Sequence, residues 1–370
     1  MELLYHMPTK ICFGTECVAK NGGEFSRWGK QALIVTGRRS GQVSGALGDI
    51  QQVLDRQAIG WTVFDQVEEN PTFATVAAGC LLARQAKADM VIGIGGGSPL
   101  DAAKAVAVLA VNDIAVGGLF DGNFPVQPLP VFAVPITAGT GSEVTPYSVL
   151  VDTERRTKRS LSHAGIFPKV AFLDARYTNS LPWPVTVNTA LDALSHSLEG
   201  YVSKKASLMS DSLALESIRC FSKTVPALTG RALSLEDREQ LLYASMLGGM
   251  VVAQTGTTMI HSLGYSLTIF RDIPHGRANG LLLAEYLRFL QPVVPAKVTS
   301  LLGALGLRTV DEFKAMNKEL LGAPETLTSH EVEEFARAAI KTPNIANTLR
   351  QPSLEELKQI LTDSVPVTQA

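Results

Sequence analysis

The sequence has 370 residues, of which 46% are hydrophobic and 18% are charged, and its formal net charge is −2. This length predicts two domains and is sufficient to bury a sizeable core. The near-neutral charge argues against a nucleic-acid binder, because such proteins usually carry a basic excess. No uninterrupted apolar run of about 18 residues is present, which argues against a membrane-spanning protein. A globular enzyme or binding protein remains as the expectation.

The N-terminal segment and the cysteines indicate a cytoplasmic protein. Residues 1–6 lack the basic stretch followed by an apolar run that is typical of a signal peptide. The four cysteines, Cys12, Cys17, Cys80 and Cys220, form no CxxC pair. They therefore predict reduced thiols rather than a disulfide framework or a zinc knuckle.

Strands and helices alternate in the first half of the chain. β-Branched runs predict buried strands, and Ala-rich segments with helical spacing predict helices between them. The predicted strands cover residues 31–36, 60–64, 89–94 and 130–135, and the predicted helices cover residues 73–87 and 99–111. This alternation is typical of a parallel sheet covered by helices. We therefore predict an α/β domain over residues 1–181.

The strand signals disappear after Leu181, which predicts an all-helical second domain over residues 182–370. Pro182 and Pro184 mark the boundary, because each removes a backbone donor and disfavours helix in the residue before it. Runs with a period of 3.6 residues predict the helices of this domain. They cover residues 187–203, 208–228, 235–254, 258–267 and 280–290, with one more short helix after Gln351.

A glycine-rich turn over residues 93–101 joins a predicted strand to a predicted helix. Gly95, Gly96 and Gly97 allow the backbone to approach a ligand that any Cβ would block. The free N–H groups at the start of the following helix favour a phosphate. The spacing is not the Rossmann fingerprint, because Ser98 stands where the third glycine belongs, and it is not a P-loop. The alternative is a tight turn that binds nothing.

A second glycine-rich segment, residues 135–145, follows the last predicted strand of the first half. It carries two glycines and the hydroxyls of Thr137, Thr140, Ser142 and Thr145. Ligands of parallel α/β sheets lie at the carboxyl ends of strands, so we expect this segment and the glycine-rich turn to converge on one pyrophosphate. The alternative is a solvated loop whose hydroxyls cap the turn.

A carboxylate and three histidines of the second half suggest a metal site. Asp192 and His196 are four residues apart in a helical run, which puts them on one helix face. With His261 and His275 they would suit Fe²⁺, Zn²⁺, Mn²⁺ or Co²⁺ rather than Mg²⁺ or Ca²⁺. Taken singly, a histidine in an apolar helix is most often a hydrogen-bonded core residue, and Asp192 can be a partner of the helix dipole. Spacing alone does not show that His261 and His275 meet the first pair.

Together these motifs resemble the iron-containing (group III) alcohol dehydrogenases, of the 1,3-propanediol dehydrogenase and lactaldehyde reductase kind. This family belongs to a superfamily with glycerol dehydrogenase and dehydroquinate synthase. The matching motifs are GGGSxxDxxK at 95–104, PTTAGTGSEVT at 135–145 with Ile136 for its first threonine, DAxxHxxE at 192–199, and the histidines at 261 and 275. The resemblance covers almost the whole chain.

The resemblance implies a dehydroquinate synthase-like fold, with an α/β N-terminal dinucleotide-binding domain and an all-α C-terminal metal-binding domain. It implies that Asp192, His196, His261 and His275 hold Fe²⁺, with Zn²⁺ as the alternative. The ion would act as a Lewis acid on the oxygen of a small alcohol, diol or aldehyde while hydride passes to or from a nicotinamide cofactor. Glu199 would orient His196, or it forms a salt bridge.

The resemblance also implies a set of cofactor-binding residues. Gly95, Gly96, Gly97 and Ser98 would hold the pyrophosphate. The residues implied in lining the rest of the cofactor are Thr137, Thr140, Thr145, Lys158 and, near its ribose, Asn70. Asp101 either ties the turn or contacts the cofactor.

The residues after the first long predicted strand favour NADP(H) over NAD(H). Many NAD-using members of the family carry an acidic residue at this position, where it bonds the ribose 2′-OH. Gly37 leaves room here, and the guanidinium groups of Arg38 and Arg39 suit a phosphate. The alternative is that both arginines are solvated surface.

Tyr265 departs from the family pattern. Many members carry a second histidine four residues after the third ligand, close to the substrate, and it is often assigned to a proton relay. Tyr265 either donates a proton in its place or shapes the pocket.

Two other functions remain open: a lyase of the dehydroquinate synthase type, and a non-catalytic binding protein. The lyase needs several Lys and Arg residues around a phosphate-bearing substrate, whereas apolar residues near the ligands, such as Met246, Met259 and Leu263, favour a small uncharged alcohol. The intact motifs argue against a non-catalytic role. The family often forms dimers through an N-terminal strand, which residues 10–13 would supply, so a homodimer is expected, with no nucleic-acid or membrane partner.

Overall fold

The computed structural model describes residues 4–155 and 157–368, and the chain forms two compact units. One unit is Met7–Leu181, and the other is Pro182–Ala370 together with Met1–His6. The backbone N–H of His6 donates to Oε1 of Gln254, and its carbonyl accepts from Nε2 of that residue. His6 therefore belongs with the helical unit, whereas the sequence placed it in the α/β domain. Residues 1–3, on which part of the signal-peptide expectation rests, lie outside the described residues.

The strands are β1 (Lys10–Phe13), β2 (Gln31–Gly37), β3 (Gly60–Val67), β4 (Met90–Gly95), β5 (Val131–Pro135), β6 (Tyr147–Asp152), β7 (Thr157–Ser162), β8 (Val170–Leu173), β9 (Leu327–Thr328) and β10 (Val367–Thr368). The α-helices are α1 (Cys17–Lys20), α2 (Ser40–Val43), α3 (Ala46–Arg56), α4 (Phe73–Gln85), α5 (Gly97–Leu109), α6 (Trp183–Tyr201), α7 (Leu208–Thr229), α8 (Leu235–Thr255), α9 (Met259–Arg271), α10 (His275–Leu290), α11 (Pro295–Ala304), α12 (Val310–Leu321), α13 (Ser329–Ala339) and α14 (Leu354–Ser364).

A parallel sheet forms the centre of the first unit, as predicted. Its strand order is β1-β8-β5-β4-β2-β3, and every neighbouring pair is parallel. The residues of β4 and β5 are buried along their whole length. Strands covered on both faces carry continuous apolar runs, which explains why these strands were visible in the sequence.

The direction in which strands are added to the sheet reverses between β2 and β4. After β2 the chain adds β3 on one side, and it then adds β4, β5 and β8 on the other side. In open α/β sheets, ligands bind outside the carboxyl ends of the strands at such a reversal. Gly37 and Gly95 are the last residues of these two neighbouring strands. The reversal therefore coincides with two of the segments that the sequence singled out.

The antiparallel hairpin β6–β7, strand β8 and several helices, among them α3, were not predicted from the sequence. β7 reads Thr-Lys-Arg-Ser-Leu-Ser and is mostly not buried, so it lacks the apolar run that marked the inner strands. β8 is only four residues long. Short or polar strands carry too little periodicity to be recognised.

The second unit is built mainly of helices, as predicted, with a short parallel pair of two-residue strands, β9 and β10, beside them. Helix α6 is buried on nearly every side from Ala190 to Tyr201, which is typical of a central core helix. It begins at Trp183, four residues before the predicted start, because Pro184 is accommodated in the first helical turn. None of the described helices combines the length and the apolar character needed to cross a bilayer.

Candidate functional site

Four side chains of the helical unit converge in its core. Asp192 and His196 lie one turn apart on α6, His261 lies on α9, and His275 is the first residue of α10. Ligand atoms of Asp192, His261 and His275 all lie within 4.8 Å of one another. Nε2 of His196 is 3.1 Å from Nε2 of His261. The structure therefore brings together the four residues that sequence spacing could not join.

Glycines set the distance between the helices that carry these side chains. A Cβ added at Gly276 would lie 1.9 Å from the backbone oxygen of Asn188 and 2.9 Å from Cβ of Asp192. Gly280, one turn later, also faces α6, but a Cβ added there would meet a side chain, with Cδ1 of Leu191 at 3.0 Å. Helix α10 thus crosses α6 in backbone contact. This contact places His275 beside Asp192.

Glu199, on α6, binds the side chain of His261, on α9. Its Oε2 is hydrogen-bonded to Nδ1 of His261, and its Oε1 accepts from the backbone N–H groups of Thr258 (2.9 Å) and Ile260 (3.1 Å). Burial raises the pKa of this carboxyl, but His261 and the hydrogen bonds lower it, and the net pKa shift is downward. The sequence suggested His196 as the partner, whereas this hydrogen bond goes to His261. Because Nδ1 of His261 is engaged, its Nε2 is the atom that faces the other ligand candidates.

Asp192 is held as a carboxylate. Burial raises its pKa, but His196, His275 and His261 lower it, as does a hydrogen bond from the side-chain amide of Asn279, and the net pKa shift is downward. A carboxylate with three imidazole nitrogens is a donor set that Fe²⁺ and Zn²⁺ accept. A histidine whose second ring nitrogen bonds a buried carboxylate is typical of metal ligands. The side chains present therefore fit a divalent transition-metal ion.

Tyr265 lies beside this cluster, one turn after His261 on α9. Its ring is stacked on the imidazole of His275, with centroids 5.8 Å apart and an interplanar angle of 24°. It is nearly perpendicular to the ring of His261, at 6.3 Å and 89°. Both roles left open by the sequence, proton donor and pocket wall, are compatible with this position.

The apolar residues used to predict the substrate do not support that argument. Met246, Met259 and Leu263 are at most 5% exposed and belong to the core. They fill space between helices, so their hydrophobicity reports on packing rather than on the polarity of a substrate.

The two glycine-rich segments lie against each other in the first unit. Gly95 ends β4, which neighbours β5. A Cβ added at Gly96 would lie 3.1 Å from Oγ1 of Thr137, and one added at Gly97 would lie 2.7 Å from Cγ2 of Thr140. The expected convergence of the segments is thus observed at the start of α5. The binding of a pyrophosphate there stays a prediction.

The loop after β3 also reaches this turn. The backbone N–H of Asn70 donates to Oγ of Ser98 at 3.0 Å. Asn70 has φ of 58°, in the left-handed region that asparagine adopts more readily than most residues. Glu68 fixes the loop by accepting from the backbone N–H of Thr72 and from Oγ1 of Thr75. Two of the candidate cofactor residues are therefore in direct contact.

Asp101 is engaged within the protein. Its Oδ1 accepts from Oγ of Ser142 at 2.6 Å, and its Oδ2 accepts from the backbone N–H of Val149 at 3.0 Å. These bonds favour the structural one of the two roles left open by the sequence. Burial raises the pKa of Asp101, and the positive charges of Lys104 and of Lys158, on β7, lower it only in part.

The buried ammonium group of Lys104 forms further hydrogen bonds between α5 and the residues around Ser142. Nζ of Lys104 donates to the backbone oxygens of Ser142 (2.7 Å) and Tyr147 (2.8 Å), and it lies 3.3 Å from Oγ1 of Thr145. Lys104 and Thr145 are both buried. In the sequence Lys104 was only part of a motif, whereas in the structure it joins α5 to the second glycine-rich segment. Thr145 faces this ammonium.

The predicted specificity residues lie at the end of β2. Gly37 is buried, whereas Arg38 and Arg39 are exposed. Within residues 4–155 and 157–368, neither guanidinium group makes a hydrogen bond or an ion pair. A Cβ added at Gly37 would lie 2.7 Å from Oγ of Ser40, a hydroxyl that can rotate away. A Cβ at this position would therefore require only a small rearrangement of Ser40.

Comparison with known proteins gives consistent matches over both units. A family model described as iron-containing alcohol dehydrogenase matches residues 8–175, and one described as Fe-containing alcohol dehydrogenase family, C-terminal, matches residues 186–365. "Probable alcohol dehydrogenase EutG" of Escherichia coli K12 is 32% identical over 361 residues, covering 95% of this chain and 91% of that protein. The 1,3-propanediol dehydrogenase of Klebsiella pneumoniae is 30% identical over 375 residues, covering 96% of this chain and 97% of that protein.

A solved structure extends these matches to the fold. The crystal structure of an iron-containing alcohol dehydrogenase from Thermotoga maritima has a TM-score of 0.91 and 38% identity, covering 98% of this chain and 99% of that chain. These matches confirm the predicted fold class, and they set aside the lyase and the non-catalytic alternatives. The chain belongs to the iron-containing alcohol dehydrogenase family and is an oxidoreductase that acts on the CH–OH group of alcohols.

Proposed function

We propose that this chain is an NADP(H)-linked dehydrogenase of small alcohols or diols that holds Fe²⁺, or Zn²⁺, through Asp192, His196, His261 and His275. The convergence of these four donors from three helices is the observation that carries the proposal. In this assignment the helical unit binds the metal and Met7–Leu181 binds the cofactor. The similarity to 1,3-propanediol dehydrogenase supports a small alcohol or diol as substrate.

The protein groups prepare the reaction in defined ways. When bound, the metal ion supplies a Lewis acid for the substrate oxygen, and the nicotinamide ring supplies the hydride acceptor or donor. Asp192 contributes a negative charge, while Glu199 fixes the ring of His261 so that Nε2 faces the cluster. Burial of both carboxylates keeps water from competing for these contacts. Tyr265 places its ring beside His275, where either its hydroxyl donates a proton or the ring shapes the pocket.

The preference for NADP(H) is supported by the end of β2. A small residue, Gly37, is followed by two exposed guanidinium groups at the point where the sheet reverses its order. A guanidinium group can donate two parallel hydrogen bonds to the oxygens of a phosphate. The ribose hydroxyl of NAD(H) offers no such pair of oxygens. We expect a variant that combines Arg38→Ala and Arg39→Ala to lose kcat/KM for NADPH by about tenfold or more, a loss of about 1.4 kcal/mol, with NADH little affected.

A homodimer is supported by the open edge of the sheet. β1 is an edge strand, and Lys10 and Gly14 direct their backbone N–H groups to β8. The alternate residues, Ile11 and Phe13, therefore present theirs to the open side, where a second copy can pair. Solution mass measurements on the wild type and on Ile11→Pro test this. A cytoplasmic location stays a prediction, supported by the four cysteines being free thiols.

The deciding experiment is aldehyde reduction with NADPH and with NADH on metal-free protein reloaded anaerobically with Fe²⁺ or Zn²⁺. We expect turnover with NADPH that requires the metal and is lost in His261→Ala. Turnover with NADH alone would keep the dehydrogenase and refute the preference for NADP(H). Metal-independent turnover would refute the assignment of the four ligands.

A further inference from the structure

Asn279 lies among the candidate metal ligands, although the sequence assigned it no role beyond its place in the motif that follows His275. It is fully buried on α10, one turn after His275. Its Nδ2 donates to Oδ1 of Asp192 at 3.0 Å. The same nitrogen lies 3.3 Å from Nε2 of His261 and 3.3 Å from Nε2 of His275. One amide group therefore contacts three of the four candidate ligands.

The other side of this amide is closely confined. A Cβ added at Gly264, on α9, would lie 2.2 Å from Oδ1 of Asn279. Within the described part of the chain, this oxygen has no hydrogen-bond partner. An unsatisfied buried carbonyl is unfavourable. The favourable polar contacts of this amide are therefore those of its N–H group, which is directed at Asp192.

We propose that Asn279 is a positioning residue of the metal centre. Its Nδ2 fixes the rotation of the Asp192 carboxylate, so that the carboxylate presents one orientation to the three histidines. The amide is neutral and therefore directs the carboxylate without adding a charge. Gly264 is part of the same device, because only a residue without a Cβ leaves room for the amide. The inference rests on the proposed ligand set.

The experiment compares metal binding by Asn279→Ala and Asn279→Leu with the wild type. Both variants remove the N–H donor, and the leucine preserves most of the side-chain volume. Dissociation constants for Co²⁺ and Zn²⁺ are measured by competition with a chelator. We expect both variants to bind these ions about 10- to 100-fold more weakly, as is typical when a group that orients a metal ligand is removed. Gly264→Ala, which displaces the amide by steric contact, should have an effect in the same direction.

Asn317 provides a matched control. It is also buried, its Nδ2 donates at 2.7 Å to the backbone oxygen of Gly280 on the same helix α10, and its Oδ1 likewise lacks a partner within residues 4–155 and 157–368. Asn317→Ala should lower the free energy of unfolding of the metal-free protein, yet leave the metal dissociation constant within about threefold of the wild type. A merely structural role for Asn279 would make both alanine variants behave alike.

The visible absorption spectrum of the Co²⁺ form gives a second readout, since it reports the number and arrangement of ligands. We expect the spectrum to change in Asn279→Leu and to stay unchanged in Asn317→Ala. Metal binding by Asn279→Leu within threefold of the wild type, with an unchanged spectrum, would overturn the inference while leaving the ligand set intact. If His261→Ala also retained the metal, the ligand set itself would be wrong, and this inference would fall with it.

Discussion

Replacing Gly276 with alanine tests whether backbone contact between α6 and α10 builds the metal centre. The added Cβ would lie 1.9 Å from the backbone oxygen of Asn188. A carbon and a carbonyl oxygen in close contact are about 3.4 Å apart. The start of α10 must therefore move by about 1.5 Å, and His275, the neighbouring residue, moves with it.

The expected consequences follow from that displacement. Metal–ligand distances tolerate only about 0.2 Å of change, so His275 would no longer bind in the arrangement set by Asp192. We expect Gly276→Ala to weaken metal binding more than tenfold. Overpacking of this kind typically costs about 1–3 kcal/mol in the free energy of unfolding. Denaturant unfolding of the metal-free protein and metal content after dialysis measure the two effects separately.

Gly303→Ala is the matched control. Gly303 lies in α11, and an added Cβ there would have nothing within 4 Å. Alanine is the better helix former by about 1 kcal/mol, so this variant should be as stable as the wild type or more stable, with normal metal content. If Gly276→Ala unfolded like Gly303→Ala and kept its metal, the argument from backbone contact would be wrong.

Three further predictions follow from the contacts of single residues. Glu199→Gln removes the charged acceptor of the hydrogen bond from His261 and should weaken metal binding about tenfold. Competition with a chelator measures this, and an unchanged affinity would contradict the role of Glu199 in orienting His261. Burial raises the pKa of Glu143 from 4.5 to about 7. Between these values the native state binds a proton that the unfolded state has lost, so the free energy of unfolding falls as pH rises through this window. Glu143→Gln should abolish that slope. The difference in free energy of unfolding between this variant and the wild type should therefore shift in favour of the variant from pH 5 to pH 8; an equal difference at both pH values would refute the assigned pKa shift. Tyr265→Phe keeps the ring beside His275 and removes the hydroxyl, so a fall in kcat with altered pH dependence identifies a proton donor, whereas wild-type kcat identifies a pocket wall.

The sequence was informative where function depends on local spacing. Asp192 and His196 share one helix face because they are four residues apart, and the helical run around them is long and apolar. The inner strands of the sheet were visible because burial on both faces leaves a continuous apolar run. The glycine-rich turn was visible because only glycine allows such a close approach. These features are properties of short segments, so a single sequence contains them in full.

Only the tertiary structure decided which distant segments meet. His261 and His275 join Asp192 because α9 and α10 pack on α6, and Gly276 sets how closely α10 does so. Such contacts depend on the fit of surfaces that are far apart in the chain, and no periodicity records that fit.

The partners of buried polar groups were likewise decided by packing. Glu199 bonds His261 on another helix, and the amide of Asn279 reaches Asp192. A buried polar group must find a partner, but the sequence states only the requirement and not the partner. Met246, which in the sequence favoured a small uncharged alcohol as substrate, is a core residue. Hydrophobicity predicts that a residue is buried, while the packing of the helices decides which neighbours it contacts.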